Sequence, residues 1–200
     1  MKLYHNAASP FVRKVHLLVI ESGQEDSVEL VASGGSPMDS SNMPVAENPL
    51  GKIPALERTD GPALYDSRVI CQYLDALAGG GFYPEARKWE AMVLEATADG
   101  IMDAAVLMVY EGRCRPEEMV YDAWVEAQWD KVSRALDAIE ARWLSHLHGP
   151  MDMGHLATAA ALGYLDFRHE ARDWRAGRPS LAAWFGTFSE RDSFQRSAPS

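Results

Sequence analysis

The sequence predicts two domains of different class: an α/β domain over residues 1–78 and an all-α domain over residues 86–200, joined by a linker at 79–85. Three observations carry this reading. Short strand-like runs alternate with helical patterns up to residue 78. The triplet Gly79-Gly80-Gly81 neither propagates a helix nor packs, which suits a boundary. Beyond it the apolar residues recur only at helical spacing.

Within the first domain, Lys2 to His5 reads as a strand and Asn6 to Ala8 as a loop. Ser9-Pro10 is a helix cap followed by the favoured first helical residue; Val12, Val15 and Val19 share one face and Gly23 marks the stop. Ser27 to Ala32 reads as a second strand, parallel to the first if the helix is a crossover. Residues 33–47, rich in Ser, Gly, Pro and Asn, hold at most a short helix around Asp39 to Glu47. A hairpin of Ala55 to Arg58 and Pro62 to Tyr65 turns at Thr59-Asp60-Gly61, and a helix with Val69, Ile70, Tyr73, Leu74 and Leu77 on one face runs from Ser67 to about Ala78. The result is βαβ followed by ββα, a thioredoxin-like arrangement.

The second domain opens at Pro84-Glu85 with a long pattern containing Trp89, Met92, Val93, Ala96, Met102, Val106 and Tyr110, stopped by Gly112. Pro116-Glu117-Glu118 starts the next helix, with acids at the positive end of its dipole, and Val132, Ala135, Ile139 and Trp143 form its apolar face. Asp152 caps a largely apolar, central helix through Phe167; Pro179 to Phe188 is shorter, and the polar tail from Arg196 is expected to fray.

A formal charge of −10 and the lack of a basic face argue against nucleic acid or an anionic membrane surface as partner. No stretch has the length of a membrane span and no leader is evident, so the cytoplasm is expected. Cys71 and Cys114 form no redox or metal spacing, and Cys71 is expected to be buried. His146 and His148 lie near a helix end with no carboxylate or thiol beside them in the pattern, so no metal is assigned.

The binding chemistry centres on Asn48-Pro49-Leu50-Gly51-Lys52-Ile53-Pro54-Ala55-Leu56 and on Asp66-Ser67. Pro54 lacks an N–H, so the Ile53-Pro54 junction holds Ile53 off the sheet with its own N–H and C=O open to an extended peptide. Asp66 attracts an ammonium group, and the helix head with the Ser67 hydroxyl suits a carboxylate. A short peptide carrying an α-amine and an α-carboxylate fits both, and glutathione is such a ligand.

These segments, with Ser9-Pro10-Phe11-Val12-Arg13-Lys14 before them and Gly163-Tyr164-Leu165-Asp166-Phe167-Arg168 after, resemble a bacterial cytosolic glutathione S-transferase along nearly the whole chain. The resemblance implies the same two-domain architecture and an enzyme of detoxification type. It would ionise the glutathione thiol for attack on a hydrophobic electrophile, with glutathione as co-substrate and no other cofactor. By the same resemblance Ser9 contacts the sulfur, Lys52, Ile53, Pro54, Asp66 and Ser67 hold glutathione, and Asp103 reaches the γ-glutamyl amine of a neighbouring subunit in a homodimer. Phe11, Met102, Val106 and Tyr110 are candidates for the electrophile site. Tyr4 and Asn6 stay open as alternatives for the thiol contact, and Ser9 as a plain cap, Lys52 as a solvated lysine and Asp103 as a polar helix position are the competing structural roles. Relatives head the sixth helix with a Ser/Thr cap and an Asp three residues on, whereas this chain has Asp152 and His155. That departure leaves a rival reading, a catalytically weak binding or regulatory protein on the same fold.

Overall fold

The computed structural model describes residues 1–199. Its elements are β1 (Lys2–His5), α1 (Pro10–Glu21), β2 (Glu29–Ala32), β3 (Ala55–Glu57), α2 (Ser67–Leu77), α3 (Lys88–Cys114), α4 (Asp122–Arg142), α5 (Leu144–Leu147), α6 (Met153–His169), α7 (Pro179–Ser189) and α8 (Asp192–Arg196). The chain divides into two compact units, Met1–Lys88 with the segment from Asp192 onward, and Trp89–Arg191.

In the first unit the sheet order is β2-β1-β3. β1 pairs in parallel with β2, Lys2 opposite Glu29 and His5 opposite Ala32, with α1 as the crossover. β3 runs antiparallel, Lys2 opposite Glu57 and Tyr4 opposite Ala55. Leu3 and Leu56 from the sheet, Val15 and Leu18 from α1, and Ile70, Cys71 and Leu74 from α2 form the core.

The expected hairpin shrinks to one bridge between Leu56 and Leu64, each donating to the other at 2.9 Å. The Arg58 Nε takes the Pro62 carbonyl at 2.9 Å, and Pro62 has no N–H to offer, so the ladder cannot extend toward the turn. Residues 39–47, allowed at most a short helix by their composition, form turns. Ser36 Oγ accepts from the Met38 N–H and Asp39 Oδ1 from the Ser41 N–H, local side-chain bonds that hold the chain in this form. The glycine triplet has positive φ at all three positions, and the Asp75 carboxylate gathers the Phe82 and Tyr83 N–H groups behind it at 2.9 and 3.3 Å.

The tail expected to fray is packed through Ser197. Buried Arg13 donates to the Phe194 carbonyl at 2.8 Å and stacks on the Phe194 ring 3.8 Å from its centroid, while Ser197 is buried against it. Arginine satisfies carbonyl and ring together, so a polar-looking segment becomes part of the unit.

In the helical unit α6 is central, with every residue from Met153 to Leu165 buried. Pro116 opens only a 3-10 turn over Glu117–Met119; Val120 then returns to extended backbone, and α4 starts at Asp122. The α7 head is capped from a distance: Glu140 of α4 accepts from the Ser180 and Leu181 N–H groups at 3.1 and 2.7 Å. Arg178 is buried and donates to Asp137, Ser133 and the Trp174 carbonyl. Among the described residues no helix is long and apolar enough to cross a membrane.

At Gly154 the first turn of α6 meets α3 so closely that a β-carbon would lie 2.9 Å from Leu94 Cδ2 and 3.0 Å from Leu94 Cβ. Gly154→Ala is therefore expected to destabilise the protein by about 1–3 kcal/mol in chemical denaturation. An unchanged midpoint would show that Leu94 moves aside freely.

Candidate functional site

Strand register gathers the candidate residues at one end of the small sheet. Extending the Tyr4–Ala55 pairing by one step sets Pro54 beside His5, the last residue before the loop that leads to Ser9. Extending the Leu56–Leu64 pairing by two steps sets Pro54 across from Asp66. Three chain reversals, at 6–8, 48–54 and 65–66, thus meet where the sheet ends.

Each reversal is fixed locally. Asn6 Oδ1 accepts from the Ala8 N–H at 3.0 Å and its amide donates to the Ser33 carbonyl at 3.3 Å. Ser9 is the N-cap of α1, its Oγ accepting from the Val12 N–H at 3.4 Å, with Pro10 next. A hydroxyl that accepts there keeps its own proton for another acceptor. In the second reversal buried Asn48 accepts from the Leu50 N–H and donates to the Lys52 carbonyl, at 3.1 and 2.8 Å. Gly51 turns the chain at φ +60°, a conformation open to glycine at little cost. The Ile53-Pro54 bond is cis, and Ile53 lies two steps beyond the sheet pairing, half-buried, with Pro54 buried behind it. Lys52 is exposed.

The third reversal contains a second cis bond, Tyr65-Asp66. Asp66 caps α2, accepting from the Arg68 N–H at 3.0 Å and pairing with its guanidinium at 2.9 Å; Ser67 is buried in the first turn. Partial burial pushes the Asp66 carboxyl up, but the Arg68 hydrogen bonds and charge, with the Lys14 charge behind them, outweigh it and hold its pKa below the ordinary value. The carboxylate is therefore ionised at neutral pH and ready for a cation.

Lys14 and Arg68 escaped the sequence reading. Lys14 is wholly buried on α1, and the signal was available, since it shares a helical face with Leu17 and Leu18. Of the proposed alternatives for the thiol contact, Tyr4 donates its hydroxyl to Glu57 and Glu47, at 3.0 and 3.3 Å, and the Asn6 amide serves its own loop. Phe11 is half-buried on α1. In the helical unit Met102 is wholly buried, Val106 and Tyr110 are half-buried, and Asp103 is exposed. Met102 is core rather than a wall of a site. His148 is exposed, while His146 meets Asp152 and the capping residue His155, a grouping that pattern alone did not reveal.

Residues 8–77 match the family model described as glutathione S-transferase, N-terminal domain, and residues 122–187 the one described as glutathione S-transferase, C-terminal domain. The chain is 31% identical over 204 residues to the "Uncharacterized GST-like protein YibF" of Escherichia coli (strain K12), covering 100% of this chain and 98% of that protein. A solved glutathione transferase family member from Pseudomonas fluorescens Pf-5 with bound glutathione is 45% identical, with TM-score 0.95 and coverage of 100% of this chain and 98% of that one. Its structure with bound S-(propanoic acid)-glutathione superposes with TM-score 0.92 at 44% identity and 100% coverage of both chains.

Tyr4 offers a pH test of this geometry. Burial, then the hydrogen bond to Glu57 and the charge of Glu47, push its phenol up to about 12. A raised pKa means that the neutral phenol stabilises the fold, fully below the unfolded value of about 10 and less as pH climbs through about 12. Wild-type stability to urea is expected to fall between pH 10 and 12 more steeply than that of Tyr4→Phe. Parallel curves would show that the hydroxyl is not committed to the carboxylates.

Proposed function

Because the chain belongs to the glutathione S-transferase family, we propose that it is a cytoplasmic glutathione transferase that ionises the glutathione thiol and directs it at a hydrophobic electrophile. The observation that carries this reading is the convergence of the Ile53-Pro54 reversal, the α2 head and the α1 head at one end of the sheet. Glutathione bound to the Pseudomonas fluorescens relative supports it.

Ile53, beyond the sheet ladder, pairs through its N–H and C=O with the cysteinyl backbone of glutathione, a one-residue strand addition with Pro54 fixing its direction. Asp66 takes the γ-glutamyl ammonium, the α2 head with Ser67 takes the adjoining carboxylate, and Lys52 reaches the glycyl carboxylate. Ser9 donates to sulfur. A thiol starts near pKa 8.5, and lowering it by two units takes about 2.7 kcal/mol of preferential thiolate stabilisation, within reach of one charge-assisted hydrogen bond and a helix head.

The thiol proton leaves to solvent, and the sulfur lone pair forms the new S–C bond as a leaving group departs or an activated double bond takes the electrons. A preformed thiolate needs proximity more than a general base. Phe11, two residues after Ser9 on α1, supplies an apolar contact to the electrophile. S-(propanoic acid)-glutathione in the relative is a thioether of glutathione, the kind of product such a step yields.

A homodimer is part of the proposal. The exposed face of α3 carries Trp89, Val93 and Leu107, 73%, 52% and 43% exposed, with Ala96, Gly100 and Asp103 between them at three- and four-residue steps. An apolar stripe of that length on a helix suits a second copy of the same face. It would also carry Asp103 toward the neighbour's γ-glutamyl amine.

Ser9→Ala is expected to lower kcat/KM for 1-chloro-2,4-dinitrobenzene by about tenfold and to raise the bound thiol's pKa by about one unit, read from thiolate absorbance, with glutathione affinity little changed. Full activity in this variant would remove Ser9 from the chemistry. Tight glutathione binding by wild type without turnover of any of several electrophiles would favour the binding-protein reading. Asp66→Asn is expected to weaken glutathione binding by about ten- to a hundredfold in calorimetry, the range for a hydrogen bond to a charged group. Unaltered affinity would place the ammonium elsewhere.

A further inference from the structure

The head of α6 carries a buried cluster that the glutathione chemistry does not use. Asp152 caps the helix, accepting from the Gly154 N–H at 3.0 Å, and the ring of His155 folds back on it with Nδ1 2.8 Å from Oδ1. His146 of α5 approaches from the other side, its Nε2 2.7 Å from Asp152 Oδ2. The side chains of Asp152, His155 and His146 are 0%, 4% and 10% exposed. One ligand atom from each lies within 4.8 Å of the others.

We propose that His146, Asp152 and His155 bind one divalent transition-metal ion of the zinc type. Two imidazoles and a carboxylate are a borderline donor set that suits zinc, and their burial suits a closed structural site. A hydrogen-bonded cap alone leaves polar atoms unused. His146 Nε2, despite its 2.7 Å approach to the carboxylate, is not aligned to hydrogen-bond it. His155 Nε2 and the hydroxyl of Thr158, wholly buried three residues further along the same face, have no hydrogen-bond partner either. A cation uses the His146 nitrogen that the cap leaves idle.

His146 binds it through Nε2, Asp152 through Oδ2, and His155 through Nδ1, the nitrogen that stands 2.8 Å from the carboxylate and whose lone pair already accepts the Asp152 N–H at 3.2 Å. Ligand atoms bound at about 2.0–2.1 Å stand roughly 3–4 Å apart, so the cluster closes on the ion with side-chain motion alone. Trp143 edge-on to His146 and Trp184 against His155, with ring centroids 5.7 and 6.3 Å away, complete an apolar shell. The ion would fasten the α5 segment to the first turn of α6.

The test uses the full chain, free of any affinity tag and stripped with a chelator, titrated with zinc chloride by calorimetry and with cobalt chloride by visible absorbance. One equivalent of zinc per chain, a rise in thermal midpoint and the visible bands of nitrogen- and oxygen-ligated cobalt are expected. His155→Gln keeps a good capping residue three positions after Asp152 but removes the ligand, so it should fold and bind zinc at least about a hundredfold more weakly. His146→Asn should do the same, and His148→Ala should bind as wild type. No saturable zinc uptake by folded wild type, or equal uptake by His155→Gln and His146→Asn, overturns the proposal and leaves a hydrogen-bonded cap. Glutathione binding is read separately, so failure here says nothing against the transferase reading.

Discussion

The pairing of β1 with both its neighbours is the constraint from which the rest of the first unit follows. A strand of four residues, Lys2 to His5, fixes β2 on one side by parallel register and β3 on the other by antiparallel register. Because strand side chains alternate with period two, a slip of one residue would turn Leu3 and Leu56 out of the core. That penalty pins the register, and the register decides which loops are neighbours. Ile53, Asp66 and the approach to Ser9 meet because they lie within a few residues of the ends of fixed pairings. Their neighbourhood is inherited from the core, and local hydrogen bonds then fix each reversal.

The helical unit is organised by the opposite device, a helix with no exposed face over most of its length. α6 can be buried all round only if its head is satisfied without water and its neighbours come close. Asp152 meets the first demand and Gly154 the second, within one turn. Side chains from a distance finish the work elsewhere in the unit: Glu140 serves the head of α7, and Trp184 donates to the Leu147 carbonyl at 2.9 Å.

What could be read in the sequence was local. Ser9-Pro10, Asp66-Ser67, Gly79-Gly80-Gly81 and the long α3 pattern announce helix heads and a chain reversal through φ preferences and capping, which act within a few residues. The cap at Asp152 was legible for the same reason. The misses come from side chains that take up backbone groups, some from far away and some within a few residues. The tail is ordered by Arg13, some 180 positions away in sequence, and nothing in its own composition says so. The second hairpin arm fails because Arg58 takes a carbonyl that the ladder would have used. Asp39 suggested a helix start, yet its carboxylate serves a turn, a competition that capping residues always allow. In the site, residue types marked Ile53-Pro54 and Asp66, whereas Lys14 looked like one charge in an ordinary amphipathic helix until burial showed its place. His146 seemed a poor ligand because its partners lie across a chain reversal.

Charge gives the site its logic. Glutathione is an anion at neutral pH, and the chain carries a formal −10, so the far field opposes the ligand. In physiological salt that field fades over about 8 Å, and what lies within this distance of the bound peptide dominates. There the balance is different: two helix heads point N–H groups at the site, the Lys14 charge acts on Asp66, and Lys52 stands exposed beside Ile53. Asp66 is the local exception, kept ionised by Arg68, and in the proposed complex it faces the one cationic group the ligand has. A carboxylate set among positive groups discriminates as well as attracts, since a peptide lacking a free γ-glutamyl amine would leave it opposed only by the protein's own cations, Arg68 and Lys14. The acidic surface and the positive site are compatible because screening separates their ranges.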